Sequence, residues 1–291
     1  MFKAPGTHGQ AVLFLINIVQ LLIFFATALI PSILGALSGI GGGIIIKPVL
    51  DAFSPFTIEE INFLSGCTVL AMSFVSLLQN FTAKDPAIPG RGKSKKLDDR
   101  HLTILALGAI LGGTLGETIF SAAVSSASRK WVGIIQSGIL TFLCAIIMIY
   151  MIRKESIKPK DIQNRPFCFL LGLAMGMVSV FLGIGGGPVN IMLIAYFLGA
   201  DSKTTGLYSL YVIFLSQLAN FLSTLVSGRI PPVPFMVLAV MISGGIGGGL
   251  IGSKILRRLE NKHVDILFRY ILAGVILLSG YNIYRLSREF F

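Results

Sequence analysis

Charge is scarce in this chain. Asp, Glu, Lys and Arg together make up 13% of its 291 residues, about half the share a soluble domain of this length carries. Histidine and cysteine are scarcer, three of each. His8, His101 and His263 stand outside or at the ends of apolar blocks, without metal-ligand spacing. Cys67, Cys144 and Cys168 fall in or at the edge of apolar blocks and form no C-x-x-C pair. Neither a metal centre nor a disulfide framework is expected. The chain also lacks G-x-S-x-G, H-E-x-x-H and paired intramembrane aspartates, which argues against a hydrolase. It has no Walker A motif, so ATP is not expected as the direct energy source. No cofactor is implied. Acidic residues are outnumbered 13 to 24 by Lys and Arg, for a net charge of +11. The basic residues gather in short loops between apolar blocks and form no aromatic-interleaved patch, so nucleic acid is not expected as a partner. No cleavable signal is expected. Met1 to Gln10 is short and weakly charged, and the apolar block behind it is too long and ends on no A-x-A-like site.

What the chain has in abundance is apolar length. Hydrophobic residues make up 54% of it, in blocks of about 20 residues, the length that crosses a bilayer. The blocks are apolar on all faces rather than along one stripe, which a soluble helical bundle would not tolerate. An all-α polytopic protein of the cytoplasmic membrane follows, with the lipid bilayer as its surroundings. The first block, Ala11 to Phe53, is too long for one span and is cut by Pro31 and Gly39–Gly43. Thr57-Ile-Glu-Glu60 reads as a capping box opening a second span, Ile61 to Phe81. The stretch 82–100 carries Lys84, Arg91, Lys93, Lys95, Lys96 and Arg100 among prolines and glycines, and is expected as a cytoplasmic loop. Further spans are expected at Leu102–Val124 and Trp131–Ile152. After a second basic connection, Arg153 to Arg165, the block Phe167–Leu198 is again overlong and broken at Gly183–Pro188. Spans at Thr205–Val226, Phe235–Gly252 and Asp265–Tyr284 complete the set.

The chain repeats itself. Gly39-Ile-Gly-Gly-Gly43 returns unchanged as Gly183-Ile-Gly-Gly-Gly187, 144 positions later. Gly66, Ser76, Asn80 and Phe81 match Gly206, Ser216, Asn220 and Phe221 at an offset of 140. Gly108, Gly112, Gly113 and Gly116 match Gly244, Gly248, Gly249 and Gly252 at 136, and Tyr150 matches Tyr284 at 134. Ordered matches with a steadily shrinking offset indicate duplication, with halves at 1–155 and 156–291. Loop charge hardly separates a parallel from an inverted repeat. Inversion, with each glycine-broken block entering and returning as a hairpin, accounts for the overlong blocks.

Glycine runs hold a straight helix poorly, and unwound backbone survives in a bilayer only where protein or a water-filled cavity satisfies it. Two such breaks at matching places in two halves point to a transporter binding site. A helix restarting after a break aims free N–H groups and a positive dipole end at that site, which suits an anion. The candidate substrate-binding residues are Ser38, Gly39, Gly41, Gly42, Gly43, Lys47, Gly183, Gly185, Gly186, Gly187 and Asn190. Lys47 either attracts the anion or snorkels to the interface. Glu117 and Asp51 are the candidate carriers of a coupling proton. Gln79, Asn80, Gln217 and Asn220 either bond substrate or bridge helices, and Ser65 is a weaker candidate. The seams Gly108–Gly116 and Gly244–Gly252 read as tight helix packing. Neither run is a dinucleotide fingerprint, since Ile44 and Pro188 stand where its third glycine belongs.

Two halves, each opening on a broken apolar segment with G-x-G-G-G, the first followed by Pro48, resemble the sulfite exporter TauE/SafE family of membrane permeases. The resemblance implies an inverted-repeat bundle, a homodimer, and transport of sulfite, sulfonates such as sulfoacetate or other small sulfur-containing anions. One departure stands out: Met192 occupies the place of Pro48 in the second copy, and Pro188 follows its glycines directly. The function expected is a secondary transporter of small anions. An anion channel of the same fold and a scaffold without substrate are the alternatives.

Overall fold

The computed structural model describes residues 18–82, 99–126, 129–160, 162 and 164–288. Among them it forms ten α-helices, one 3-10 turn and no strand. In chain order they are α1 (Ile18–Ser38), α2 (Gly43–Phe53), α3 (Ile58–Thr82), α4 (Asp99–Ser126), α5 (Arg129–Arg153), α6 (Arg165–Phe181), α7 (Gly187–Leu198), α8 (Ser202–Val226), α9 (Phe235–Leu256) and α10 (Asn261–Arg288). Seven are long and apolar enough to cross a membrane, and α6 and α7 are shorter apolar helices. Most of the expected basic loop, residues 83–98, lies outside the described residues.

Local signals place the helix ends. The Thr57 amide donates to Glu60 Oε2 at 2.7 Å, and the Glu60 amide to Thr57 Oγ1 at 3.4 Å, the reciprocal pair that starts α3. The outer surface is greasy, with Ile18, Leu277, Phe235 and Phe142 all exposed, as helices facing lipid require. The interior takes the hydroxyls. Buried Thr68 donates back to the Leu64 carbonyl at 2.8 Å, so its polar group is satisfied inside its own helix.

Both glycine runs reverse the chain. A Cβ on Gly42 would lie 3.1 Å from the Pro31 carbonyl, and the Gly41 amide donates to the Gly35 carbonyl at 3.4 Å. Residues eleven apart on one continuous helix would be about 16 Å apart, so α2 folds back along α1. At the second run the Ile184 amide donates to the Ser179 carbonyl at 3.3 Å, and Gly186 packs on Ser179.

The glycine seams lock these hairpins to the opposite half of the chain. Gly108, Gly112 and Gly116 of α4 press on the backbone at Phe169, Leu173 and Met177 of α6. Gly244, Gly248 and Gly252 of α9 press on α1 around Phe25–Leu29, Leu29–Ile33 and Ile33–Ala36. Residue numbers rise together in both seams, so these helices run parallel. The pairs matched by the repeat cross the other way. Phe63 stacks near Phe221 with ring centres 6.3 Å apart, and Phe74 near Phe214 at 5.8 Å, so α3 and α8 are antiparallel. Gly133 lies beside Leu286, and Lys154 bonds Asp265, so α5 and α10 are antiparallel too.

Candidate functional site

The two reversals touch. A Cβ on Gly43 would sit 2.5 Å from the Ile184 carbonyl oxygen, and one on Gly187 would overlap the Ile40 carbonyl. These contacts are reciprocal under the offset of 144. Gly41 and Gly185 share one floor, the side chains of Val69 and Ile213. Positive φ is required at Gly39 (73°), Gly41 (78°), Gly183 (66°), Gly185 (74°) and Gly186 (70°). The copies differ at one position: Gly42 is right-handed, with φ −66°, while Gly186 is left-handed. Pro188 follows in the first turn of α7, where its missing N–H costs no helical bond. The first residue of each short helix thus lies against a carbonyl of the other reversal.

Beside this contact lies a cavity of about 350 Å³. Its mouth is at the exposed ends of helices, with Ser125 of α4, Thr224 of α8, and Arg229 and Pro231 of the α8–α9 connection. Its floor is buried, at Gly183 and Gln217. Asn62, Asn220, Glu59 and Glu117 line its polar wall, and Phe63, Phe120 and Val180 its apolar one. Of the two glycine runs, the residue that borders this cavity is Gly183. Glu117 accepts a hydrogen bond from Ser121 Oγ at 3.0 Å.

Lys47 does not snorkel. It is 3% exposed, and its Nζ lies 2.8 Å from Asn62 Oδ1 and 3.8 Å from Asp51 Oδ2. Arg285 of α10 closes the end of α2 by donating to the backbone carbonyls of Ala52, at 2.8 Å, and Asp51. This is the place for a cation, since a helix ends in free carbonyls and a negative dipole end. Asn190 of α7 is fully buried, with neither amide atom hydrogen-bonded. Ser65 is buried in α3, its hydroxyl without a partner. Asn80 bonds the Ser76 carbonyl at 2.9 Å within its own helix.

Ser38 donates to the Leu34 carbonyl at 2.7 Å and borders a second, nearly closed cavity of about 10 Å³. Ser202, Thr205, Lys154 and Asp265 also line it. Lys154 Nζ donates to Ser202 Oγ at 2.7 Å and to both Asp265 oxygens at 2.9 and 3.0 Å, and Ser202 Oγ donates to Asp265 at 2.8 Å. Sequence reading passed over Asn62 and this triad. The repeat held one clue: the offset of 140 pairs Asn62 with Ser202, and these two residues line the large and the small cavity respectively.

A family model described as "Sulfite exporter TauE/SafE" matches residues 23–283. The chain is 24% identical over 274 residues to the probable membrane transporter protein YunE of Bacillus subtilis, covering 86% of this chain and 93% of that protein. It is 27% identical over 255 residues to the probable membrane transporter protein MJ0441 of Methanocaldococcus jannaschii, covering 84% and 89%. A probable membrane transporter protein of Haemophilus influenzae is 22% identical over 247 residues, covering 82% and 86%.

Proposed function

The chain belongs to the sulfite exporter TauE/SafE family and is a multi-pass membrane transporter, and from that premise we propose that its cargo is a small sulfur-containing anion, sulfite or an organosulfonate such as sulfoacetate, moved by alternating access around the two glycine reversals. The observation that carries this reading is the inequality of two equivalent places. The cavity at Asn62 is open at about 350 Å³, and the one at its repeat partner Ser202 is closed to about 10 Å³. Two inverted halves, 1–155 and 156–291, would exchange these roles when one rocks against the other.

Lys203, Lys254, Arg257, Arg258 and Lys262 stand at the helix ends on the side of the small cavity. The excess of positive charge favours the cytoplasm for that side, and on this reading the large cavity faces outward. Glu117 is the proposed carrier of a coupling proton, since a protonated carboxyl lets an anion enter without meeting a like charge. A channel is the weaker reading. The contacts Gly43–Ile184 and Gly187–Ile40 leave the reversals no gap for a continuous pore.

Counterflow separates these readings. Proteoliposomes preloaded with unlabelled sulfite should take up labelled sulfite faster than empty ones. Flux that is conductive and shows no such acceleration would mean a channel. A thermal-shift series with sulfite, sulfoacetate, sulfate and phosphate should show stabilisation by at least one of them, because a ligand that binds only the folded state raises its stability. No shift with any of the four would refute the anion site.

A further inference from the structure

Resting on the anion-transport reading, we infer that Asn62 is a direct ligand of the transported anion and that Lys47 is the positioning residue that aims it. Lys47 carries three donors and no acceptor, so the atom of Asn62 facing it at 2.8 Å is the carbonyl oxygen. The other end of the amide, Nδ2, is buried without a hydrogen-bond partner, and Asn62 lines the large cavity. A side chain with its acceptor committed presents only donors to whatever enters.

Asn190 is also unbonded but borders neither cavity, and two further buried amides are spent on structure. Asn80 bonds its own helix, and Asn282 donates to the Pro48 carbonyl at 2.9 Å. Asn62 holds its donor in reserve next to Gly183, the point where the cavity meets the second reversal. The buried ammonium also polarises the amide, which strengthens its N–H groups. Asp51 stands 3.8 Å from Lys47, beyond hydrogen-bond contact, so the ammonium's close partner is Asn62. The ligand class that fits is a small oxyanion offering acceptors to Asn62, with the amides of Gln217 and Asn220 on the same cavity wall.

Asn62→Asp tests this with almost no change of shape. The new carboxylate keeps a partner for Lys47, so the fold should hold, but the donor is gone and a negative charge faces the cavity. The expected result is an unchanged melting temperature without anion, loss of the sulfite-dependent thermal shift, and a sulfite KM for counterflow raised by about tenfold or more. The charge-balanced pair Lys47→Met with Asp51→Asn should raise KM in the same direction with a smaller effect on maximal rate, whereas a purely structural lysine would lower rate and melting temperature together. If Asn62→Asp melts early, Asn62→Ser is read in its place by the same KM criterion. Wild-type exchange with an unchanged KM in the Asn62 variant overturns this inference alone. A wild-type protein that neither shifts with nor exchanges sulfite, sulfoacetate, sulfate or phosphate overturns the anion reading and this inference with it.

Discussion

Gly187→Ala is expected to slow sulfite counterflow by roughly a hundredfold, with Gly274→Ala as the silent control. A single methyl group on Gly187 falls on the Ile40 carbonyl, which is backbone and cannot swing aside. To admit it, α7 must move off the first reversal, and the reciprocal contact of Gly43 with Ile184 opens with it. Overpacking of this kind typically costs 1–3 kcal/mol in a packed core. Here it lands on the surface where the two halves meet, so it changes the relation between halves and not only stability. Gly274 has nothing within 4 Å of its would-be Cβ, and replacing a helical glycine there should be neutral or mildly stabilising. Gly39→Ala adds a second kind of strain, a left-handed φ of 73° together with collision with the Gly206 backbone. Normal counterflow in Gly187→Ala would mean that the touching reversals are not part of the transport machinery, and the scaffold alternative would then gain.

The sequence showed most clearly those features whose signal is local. The capping box at Thr57 and Glu60, the two breaks and the apolar spans all arise from neighbours along the chain, and the helices begin and end within a few residues of expectation, apart from the start of the first block at Ala11, which lies outside the described residues. The glycine seams announced close packing correctly, but a row of small residues does not name its partner. Each seam proves to clasp the hairpin of the other half, α4 on α6 and α9 on α1. Lys47 was ambiguous for a similar reason. Its direction is decided by Asn62, fifteen residues away on another helix, and by the burial of its neighbours on α2, Ile44, Ile46 and Leu50. Arg285 gave no local signal either, since its role is set by its bonds to the carbonyls at the end of α2, more than 230 residues earlier in the chain. Pro188 marked the difference between the two reversals in advance, and the difference is the left-handed Gly186. Asn62, Arg229 and Gly183 share a cavity only because three separate segments meet there.

Breaking the Lys154–Asp265–Ser202 triad is the other change expected to have a large effect, and it acts on population instead of contact. The triad ties the end of α5 to the starts of α8 and α10, all at the mouth of the collapsed cavity. Its ion pair is about one-fifth exposed, with side-chain exposures of 23% and 22%. Solvent screening therefore trims its worth, but the hydrogen bonds to a charged partner keep it above a surface pair. In Asp265→Asn the ammonium loses its counter-charge, and the state with the small cavity open should rise in population by roughly tenfold. The readout is thiol labelling in a background from which Cys67, Cys144 and Cys168 have been replaced. A cysteine at Thr205, buried beside the small cavity, should react faster with an impermeant maleimide applied from the basic side. A cysteine at Asn220, on the wall of the large cavity, should react more slowly from the opposite side. The opposed signs are what matter. Local loosening of the triad would speed the first reaction and leave the second alone, whereas alternating access forces both to move, because one rigid rearrangement opens one cavity by closing the other. High salt should push the wild-type protein in the same direction as the substitution, since the screening length falls from about 8 Å at physiological ionic strength to about 3 Å at 1 M and partly exposed charges feel that change.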